Sequence, residues 1–592
     1  MTEPDTTAAE PEPAVDFHPD NRFWAIYACL LITMFLSSVS QTIVGSALPT
    51  IVGSLGGVEH MSWIITAYSL AMTISMPVYG KLGDLIGRKH VLLVAIALFL
   101  VGSGLSGTAQ TMGMFIVFRF IQGLGGGGLI ICSQAITADI IPARVRGVYQ
   151  APISAMFGIA SVLGPLIGGW LTDAVSWRAV FWVNIPLGVI VWIAIFIAMK
   201  LPSHELRAKV DWLGLALLDL GAVALVLLAT WGGHQYAWVS WPILALGAAV
   251  IACWGLLPAA ERHAEEAILP LQLLRNRTFI VCTLVGMLTM AAMFGAMGYL
   301  PTYLQMVYGL TPTQSGLMLI PMTIGQLGAA TIVGALVSRT GHYRAWPVTG
   351  TLVAAVGMFL MSTLDAHSPA GLVIAYTTLL GTGIGMILQL LVLLVQNSVP
   401  PHIVGTATSD NNFFRQIGVS LGAAIIGAAF TSRLATNLEG FLGGLAASGD
   451  DAVKADLAQA KAHGLDAASL TPQVVGALPD TVRGGIVDSY VHALTPVLGA
   501  LVPMLVLAAV VSVFLPHLDL ATRSGLQQVA DQDRASAHEA VEELLKERAE
   551  EEAAEGAEPR DDDRGTRAAG SDGSDRPGGT SPGGPSSSAS AR

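Results

Sequence analysis

The sequence predicts an all-α integral membrane protein with fourteen transmembrane helices, built as two six-helix bundles with two extra helices between them. Three observations carry this. Hydrophobic residues make up 53% of the 592 and charged residues only 12%, at a mean hydropathy of +0.61. Apolar runs of the roughly 20 residues that cross a bilayer recur from Trp24 to Phe514. Bases gather in every second link between those runs, and a short glycine pattern recurs at matching places in the two halves.

In chain order, residues 1–22 form an acidic tail with six acids and one base, unlike a cleavable signal peptide. Residues 23–200 hold the first bundle, with spans at 24–48, 62–82, 90–110, 113–136, 148–172 and 178–200. The linker 201–260 carries the two extra spans, 211–231 and 240–260. Residues 261–516 hold the second bundle, with spans at 278–305, 315–338, 345–364, 370–396, 405–431 and 491–515 and a long external loop at 432–489, in which 451–463 has helical character. Residues 517–592, with seventeen acids and nine bases, read as a disordered acidic tail with a short helical stretch at 539–552. The net charge of −12 therefore belongs to the ends, and residues 23–516 carry only +1. It points to neither a basic substrate nor a nucleic acid.

Orientation follows from the bases. Lys81, Arg88, Lys89, Arg144, Arg146, Lys200, Arg207, Lys209, Arg262, Arg275, Arg277, Arg339 and Arg344 fall in even-numbered links, while the short odd-numbered links offer Arg178. The positive-inside rule makes the even links, and so both termini, cytoplasmic. The four cysteines lie in apolar runs without CxxC or paired His, so neither a disulfide framework nor a metal site is expected.

The most specific stretch is Gly80–Lys89, GKLGDLIGRK. Glycines at 80 and 87 permit close helix approach and a tight reversal. Asp84, an acid in a base-rich link, can accept from backbone donors at a helix start or from a nearby Arg, and Arg88 and Lys89 complete the expected latch. The pattern resembles the link between the second and third spans of major facilitator transporters, with Leu85 where that family often has a base. Gly334–Gly341, GALVSRTG, repeats the spacing between the second and third spans of the last six, with Ser338 in place of Asp84. Two parallel halves around a central site are how such carriers are built.

Further motifs extend the resemblance. Arg119, Gln122 and Gly123 in FRFIQGLGGGG match the family's R-x-x-Q-G, which implies a part in proton coupling; a charge at this depth costs about 2.5–3.5 kcal/mol. The overlapping G-x-G-x-x-G at Gly123, Gly125 and Gly128 lacks a βαβ context and reads as helix packing. Gly164, Pro165, Gly168 and Gly169 match the G-P-x-x-G-G of antiporters in the family, with Pro165 leaving the Ser161 carbonyl without its usual donor. Thr42–Val44 and Ala47–Pro49 are similar to the drug-exporter signature L-D-x-T-I-V-x-x-A-L-P, but its acid falls on Ser40. Arg119 is thus expected to meet hydroxyl and amide groups at the depth of Ser40 and Gln41.

Only Asp219 and Asp410 are carboxylates well inside spans. Asp219 sits in an extra helix. Asp410 lies in TATSDNNFFRQIG, where Asn411, Asn412 and Arg415 make the thirteenth span unusually polar. Burial and a neighbouring Arg pull a carboxylate's proton affinity in opposite directions, which makes Asp410 the candidate coupling acid beside a purely structural role. Asp410 and Arg415, about 140° apart around a helix, need not pair. Ser40, Gln41, Tyr68, Gln122, Asn184, Asn411 and Asn412 are candidates for the substrate cavity, and Gln134, Gln389, Gln396 and Asn397 are further polar groups in spans; interhelical hydrogen bonding is the competing role for each.

Together the motifs resemble the fourteen-span drug:proton antiporters of EmrB/QacA type over residues 24–516. The resemblance implies a bacterial cytoplasmic-membrane exporter of lipophilic drugs or antibiotics. Its partners would be a small lipophilic substrate, protons and membrane lipid, with no nucleic acid and one copy sufficing. It would use no cofactor beyond the proton gradient. The alternatives are a facilitator that moves an endogenous metabolite with different coupling and, from another class, a sensor or pump subunit, against which stands the absence of G-x-x-x-x-G-K-[ST].

Overall fold

The computed structural model describes residues 19–55, 61–199, 211–233, 235–264, 267–447, 475, 478–525, 527–531, 534, 538, 541–546 and 548. Within these the chain is helical apart from one isolated bridge at Gly232 and Tyr236. The first six expected spans are α1 (Asn21–Leu55), α2 (Met61–Ile86), α3 (Arg88–Thr108), α4 (Met112–Ile140), α5 (Ala143–Ala174) and the pair α6 (Ala179–Trp182) and α7 (Asn184–Ala198). The extra spans are α8 (Trp212–Trp231) and α9 (Trp241–Glu261). After the short α10 (Leu271–Arg275) come α11 (Arg277–Met297), α12 (Leu300–Tyr308), α13 (Pro312–Leu317), α14 (Ile320–Thr340), α15 (Ala345–Met361), α16 (Ala370–Gly385) and α17 (Leu388–Asn397). A 3-10 turn (Pro401–Ile403) leads into α18 (Val404–Ala447), and α19 (Asp480–Val513) closes the series.

Each expected span coincides with a helix or helix pair. Among the described residues, twelve are long and apolar enough to cross a membrane. The other two are α15, which is shorter, and α2, in which hydroxyls, Lys81 and Asp84 dilute the apolar residues. Length and composition alone thus mark twelve crossings and do not confirm the expected count of fourteen.

Helix starts are set by local chemistry. Thr111, Asp211, Asn276 and Thr311 each accept a backbone N–H of the following first turn, which satisfies donors that have no partner inside the helix. Links sort into two ends. At one end Arg88 bonds Asp139, Asn276 bonds the Ser398 carbonyl, and the Arg144 N–H bonds the Ala521 carbonyl. At the other, Arg178 bonds the Ala109 carbonyl and Tyr303 and Tyr308 bond the carbonyls of Asp365 and Ser368.

The packing is reciprocal. α2, the second span of the first half, lies on α18, the fifth of the second; α5, the fifth of the first, lies on α14, the second of the last six. The repeated glycine pattern marks both crossings. Gly80 abuts Gly405 and Ser409 of α18, and Gly334 abuts Gly147 of α5. The second glycine of each copy takes a left-handed turn, φ 95° at Gly87 and 71° at Gly341. The repeat seen in the sequence is therefore a structural repeat.

Two expectations need correction. Residues 432–447 are not loop: α18 continues to Ala447, because Phe430, Leu434 and Leu438 form a buried stripe against Val475, Leu478, Val482 and Ile486. The start of the expected tail is not loose either. The Tyr343 phenol donates to the Pro516 carbonyl at 2.8 Å and accepts from the Leu518 N–H at 2.6 Å, and Asn397 bonds both Asp519 and Ala521. Burial raises the Tyr343 pKa, so the phenol stays protonated in this role. The helical expectation for 451–463 lies outside the described residues, as do residues 1–18 and 549–592.

Candidate functional site

The Gly80–Lys89 link forms a clasp onto the opposite half. Asp84 accepts from the Gly405 N–H (3.1 Å), the Thr406 N–H (2.7 Å) and the Thr406 hydroxyl (2.9 Å), at the first turn of α18. Helix N-terminal donors and the positive end of the macrodipole favour a carboxylate here. Arg88 holds the other side: its guanidinium donates to Asp84 at 2.8 Å, to Asp139, and to the Pro401 carbonyl across the halves at 3.2 Å. Gly80 makes room, since a Cβ there would lie 2.8 Å from the Gly405 carbonyl. Lys89, expected in the same clasp, is not part of it. Its ammonium bonds the Phe196 carbonyl at 3.0 Å and sits over the Phe196 ring, inside its own half.

Three polar pairs reinforce this end. Arg146 donates to Gln396 at 2.9 Å, Arg144 to the Ser338 carbonyl at 3.2 Å, and Asn412 to Gln134 at 2.9 Å. Each joins the first half to the second. Gln134, Gln396 and Asn397, polar residues of unassigned role in the sequence, thus have partners across halves or on the segment after α19.

Arg119 is 1% exposed in the middle of the first bundle. It donates to Gln122 (2.6 Å) and to the backbone carbonyl of Ser40 (3.3 Å), with its guanidinium carbon 4.2 Å from the centre of the Tyr68 ring. The Ser40 hydroxyl, expected as its partner, has none among the described residues, and half-buried Gln41 makes no hydrogen bond there. Ser103 is the centre that sequence reasoning missed. Its hydroxyl accepts from both Gln122 and Asn184 at 3.1 Å and donates to the Phe181 carbonyl. Serines are frequent in these spans, and nothing in the spacing singles this one out. Tyr68 bonds the Ser37 carbonyl at 3.1 Å. Ser40, Tyr68, Gln122 and Asn184 are thus joined to Arg119 in one buried network.

The antiporter-like stretch packs on α1. Gly164 meets Thr42, and Gly168 meets Ile43 and Ser46. Gly169 has nothing within 4 Å and plays no part in this contact. Pro165 does not break α5, which runs unbroken through it, and the Thr42 hydroxyl bonds the Ala160 carbonyl at 2.9 Å. Gly123, Gly125 and Gly128 lie against α2 and α3, as glycine packing requires.

On α18, Asn411 donates to Thr283 (3.0 Å), while Arg415 reaches Asn412 at 3.4 Å rather than Asp410. Asp410 is 1% exposed, and neither carboxylate oxygen has a hydrogen-bond partner among the described residues. It lies one turn past Thr406, on the helix the clasp holds.

The sequence family model described as Major Facilitator Superfamily matches residues 30–423. The chain is 38% identical over 495 residues to Rv1877 of Mycobacterium tuberculosis, named an uncharacterized MFS-type transporter, covering 84% of this chain and 70% of that one. It is 34% identical over 525 residues to the multidrug transporter protein MdtP of Bacillus subtilis (87% and 96% covered), and 31% identical over 503 to multidrug resistance protein 3 of the same organism (85% and 97%). Among solved structures, the human organic anion transporter MFSD10 aligns with a TM-score of 0.54 over 82% of this chain and all of that one, at 13% identity. The proton:xylose symporter XylE aligns at 0.50 over 87% and 99%, also at 13% identity. With the clasp, the reciprocal crossings and these matches in place, the chain is a multi-pass membrane transporter, not an enzyme, and it belongs to the major facilitator superfamily.

Proposed function

We propose that this transporter is a proton-coupled antiporter that exports lipophilic drugs, antibiotics or similar small molecules from a bacterial cell, using no cofactor beyond the proton gradient. The carrying observation is the Asp84–Arg88 clasp on α18, made of charge-assisted bonds that, among the described residues, join the two halves at one end. A carrier that exposes its cavity alternately needs such a contact, closed in one state and open in the other. The clasped end is the base-rich one, so it is the cytoplasmic face, with both termini on that side. In this scheme the clasped arrangement is the state closed toward the cytoplasm.

Asp410 is the coupling acid in this scheme. Protonated, it can remain buried without a partner; ionised, it favours movement of α18 toward water or a cation. The Arg119 network fixes the geometry of the first bundle, and Arg415 with Asn411 and Asn412 presents polar groups on the second. One charge crossing 100 mV supplies about 2.3 kcal/mol, enough for roughly a fifty-fold gradient. The naming of MdtP and multidrug resistance protein 3 supports export of drugs. Ser40 in place of the signature's acid removes the partner a cation would find, and favours neutral or anionic substrates.

The test is proton release from detergent-purified protein when candidate lipophilic compounds are added. Native protein releases protons and Asp410→Asn does not. Equal release from both removes Asp410 from the scheme. Dye export from everted vesicles that persists after the proton gradient is collapsed rejects the antiport itself.

A further inference from the structure

Beside the clasp, the seam between the halves has a second run. α5 and α14 lie antiparallel along it, from Gly147 against Gly334 to Gly158 against Thr323. Gln150, about one turn past Gly147, falls within this run. From the other side Gly385 closes onto the Gln326 carbonyl of α14, so tightly that a Cβ would collide with it. The chain then breaks between α16 and α17 at Met386 and Ile387, and Gln389 follows in the first turn of α17. Between these elements lies a cavity of about 20 Å³, walled by Gly147 and Gln150 of the first half and by Gly334 and Gln389 of the second. That is room for one water molecule.

The two glutamines stand out by what their oxygens lack. Gln150 is 4% exposed, and its amide oxygen and that of Gln389 are shut off from solvent with no hydrogen-bond partner among the described residues. Nearby amides behave differently: the Gln396 oxygen accepts from Arg146 and the Gln134 oxygen from Asn412, each across the halves. The interhelical bond that accounts for those groups is not made by the oxygens of Gln150 and Gln389. A buried acceptor without a donor disfavours the clasped state, and an apolar side chain of the same length would fill the space without that cost. The two amides are therefore of use in the other state, where the seam is open.

Their surroundings specify the partner. The orphan atoms are acceptors, so they call for hydrogen-bond donors. No titratable side chain lines the cavity, and the rest of the wall is apolar, with Val333 and Leu390. A cationic group would find no opposite charge there. A neutral hydroxyl or amide N–H on a lipophilic body fits both the acceptors and the wall.

We propose that Gln150 and Gln389, one from each half, receive a neutral hydrogen-bond donor of the exported molecule just behind the clasped end of the transport path. With the halves parted, the two amide oxygens face one opening and each takes a donor from the ligand. Closure brings Gly147 back onto Gly334, reduces the site to the volume of one water and leaves no room for the ligand's group. Binding to the pair thus belongs to the open state alone. This deepens the export reading and rests on it.

The experiment measures uptake of 1-pyrenebutanol and of its methyl ether into everted vesicles under a proton gradient, above that of vesicles without the protein. The two probes share the lipophilic body and differ in the hydroxyl donor. Native protein takes up the alcohol with a KM roughly fivefold below that of the ether. Gln150→Met and Gln389→Met keep the side-chain length and remove the acceptor. Each raises the KM of the alcohol about fivefold and leaves the KM of the ether at its native value. Gel filtration verifies that both variants are folded. If the glutamines only rivet the closed seam, both probes change alike, and that outcome overturns the proposal. A preference for the alcohol that survives both substitutions overturns it too. Uptake of both probes by native protein without preference removes the receptor and leaves export standing, whereas uptake of neither refutes export of neutral lipophilic molecules and the receptor with it.

Discussion

At the scale of single residues, the structure separates groups by what they bond, not by how polar they are. Asp84 receives three donors from α18 and one from Arg88. At about 1.5–3 kcal/mol for a hydrogen bond to a charged group, Asp84→Ala shifts the closed–open equilibrium by tenfold or more. The expected outcome is a protein of normal yield that is opened toward the cytoplasm, read as increased cysteine labelling at the clasped end. Arg119→Lys loses more than a charge-conserving change suggests. An ammonium cannot fork between Gln122 and the Ser40 carbonyl while stacking on Tyr68. Transport falls at least tenfold while gel filtration stays normal; transport equal to native removes this role. The sequence already marked Asp84 as an acid in a base-rich link and Arg119 as a costly charge in an apolar span, whereas Ser103 gave no signal because its importance is purely a matter of neighbours.

At the scale of elements, the two glycine copies predict paired behaviour. A methyl group at Gly80 meets Ser409 and the Gly405 carbonyl, and one at Gly334 meets Gly147 backbone. Neither neighbour is the free end of a flexible side chain, so Gly80→Ala and Gly334→Ala both weaken closure and reduce transport by similar factors. Gly169→Ala, with open space around it, leaves transport at the native level. A vesicle assay of the three variants decides this, and unequal effects at 80 and 334 would break the equivalence of the crossings. The second copy has Ser338 where the first has Asp84, and there the direction of bonding reverses: Arg144 of the first half donates to the Ser338 carbonyl. The clasp is thus charged on one side of the pseudo-two-fold and a backbone contact on the other.

At the scale of the whole molecule, closure of the clasped end involves the chain beyond its last span. Residues 516–521 bond Tyr343 and Asn397 of the second half and Arg144 of the first. Ending the chain after Leu515 removes these bonds and favours the open state, whereas ending it after Ala530 preserves them. The rate at which a membrane-impermeant maleimide reaches Asn412→Cys from the cytoplasmic side, above the background of the four native cysteines, distinguishes the two. A labelling rate unchanged by the shorter truncation would show that this segment does not bear on closure.

The sequence by itself determined the helical membrane fold, the alternation of links, the repeat and the clasp residues. These follow from local signals: runs of apolar residues long enough to cross lipid, bases that stay on one side, glycines at fixed spacing. Only the tertiary structure decided which groups meet. That Lys89 turns into its own half, that Arg119 binds a Ser40 carbonyl, that α18 runs on to Ala447 and that Asp410 is buried with no hydrogen-bond partner among the described residues depend on helix rotation and on packing between segments far apart in the chain. A buried charge must be accommodated by whatever its neighbours present, and one chain position does not reveal those neighbours until the helices are packed.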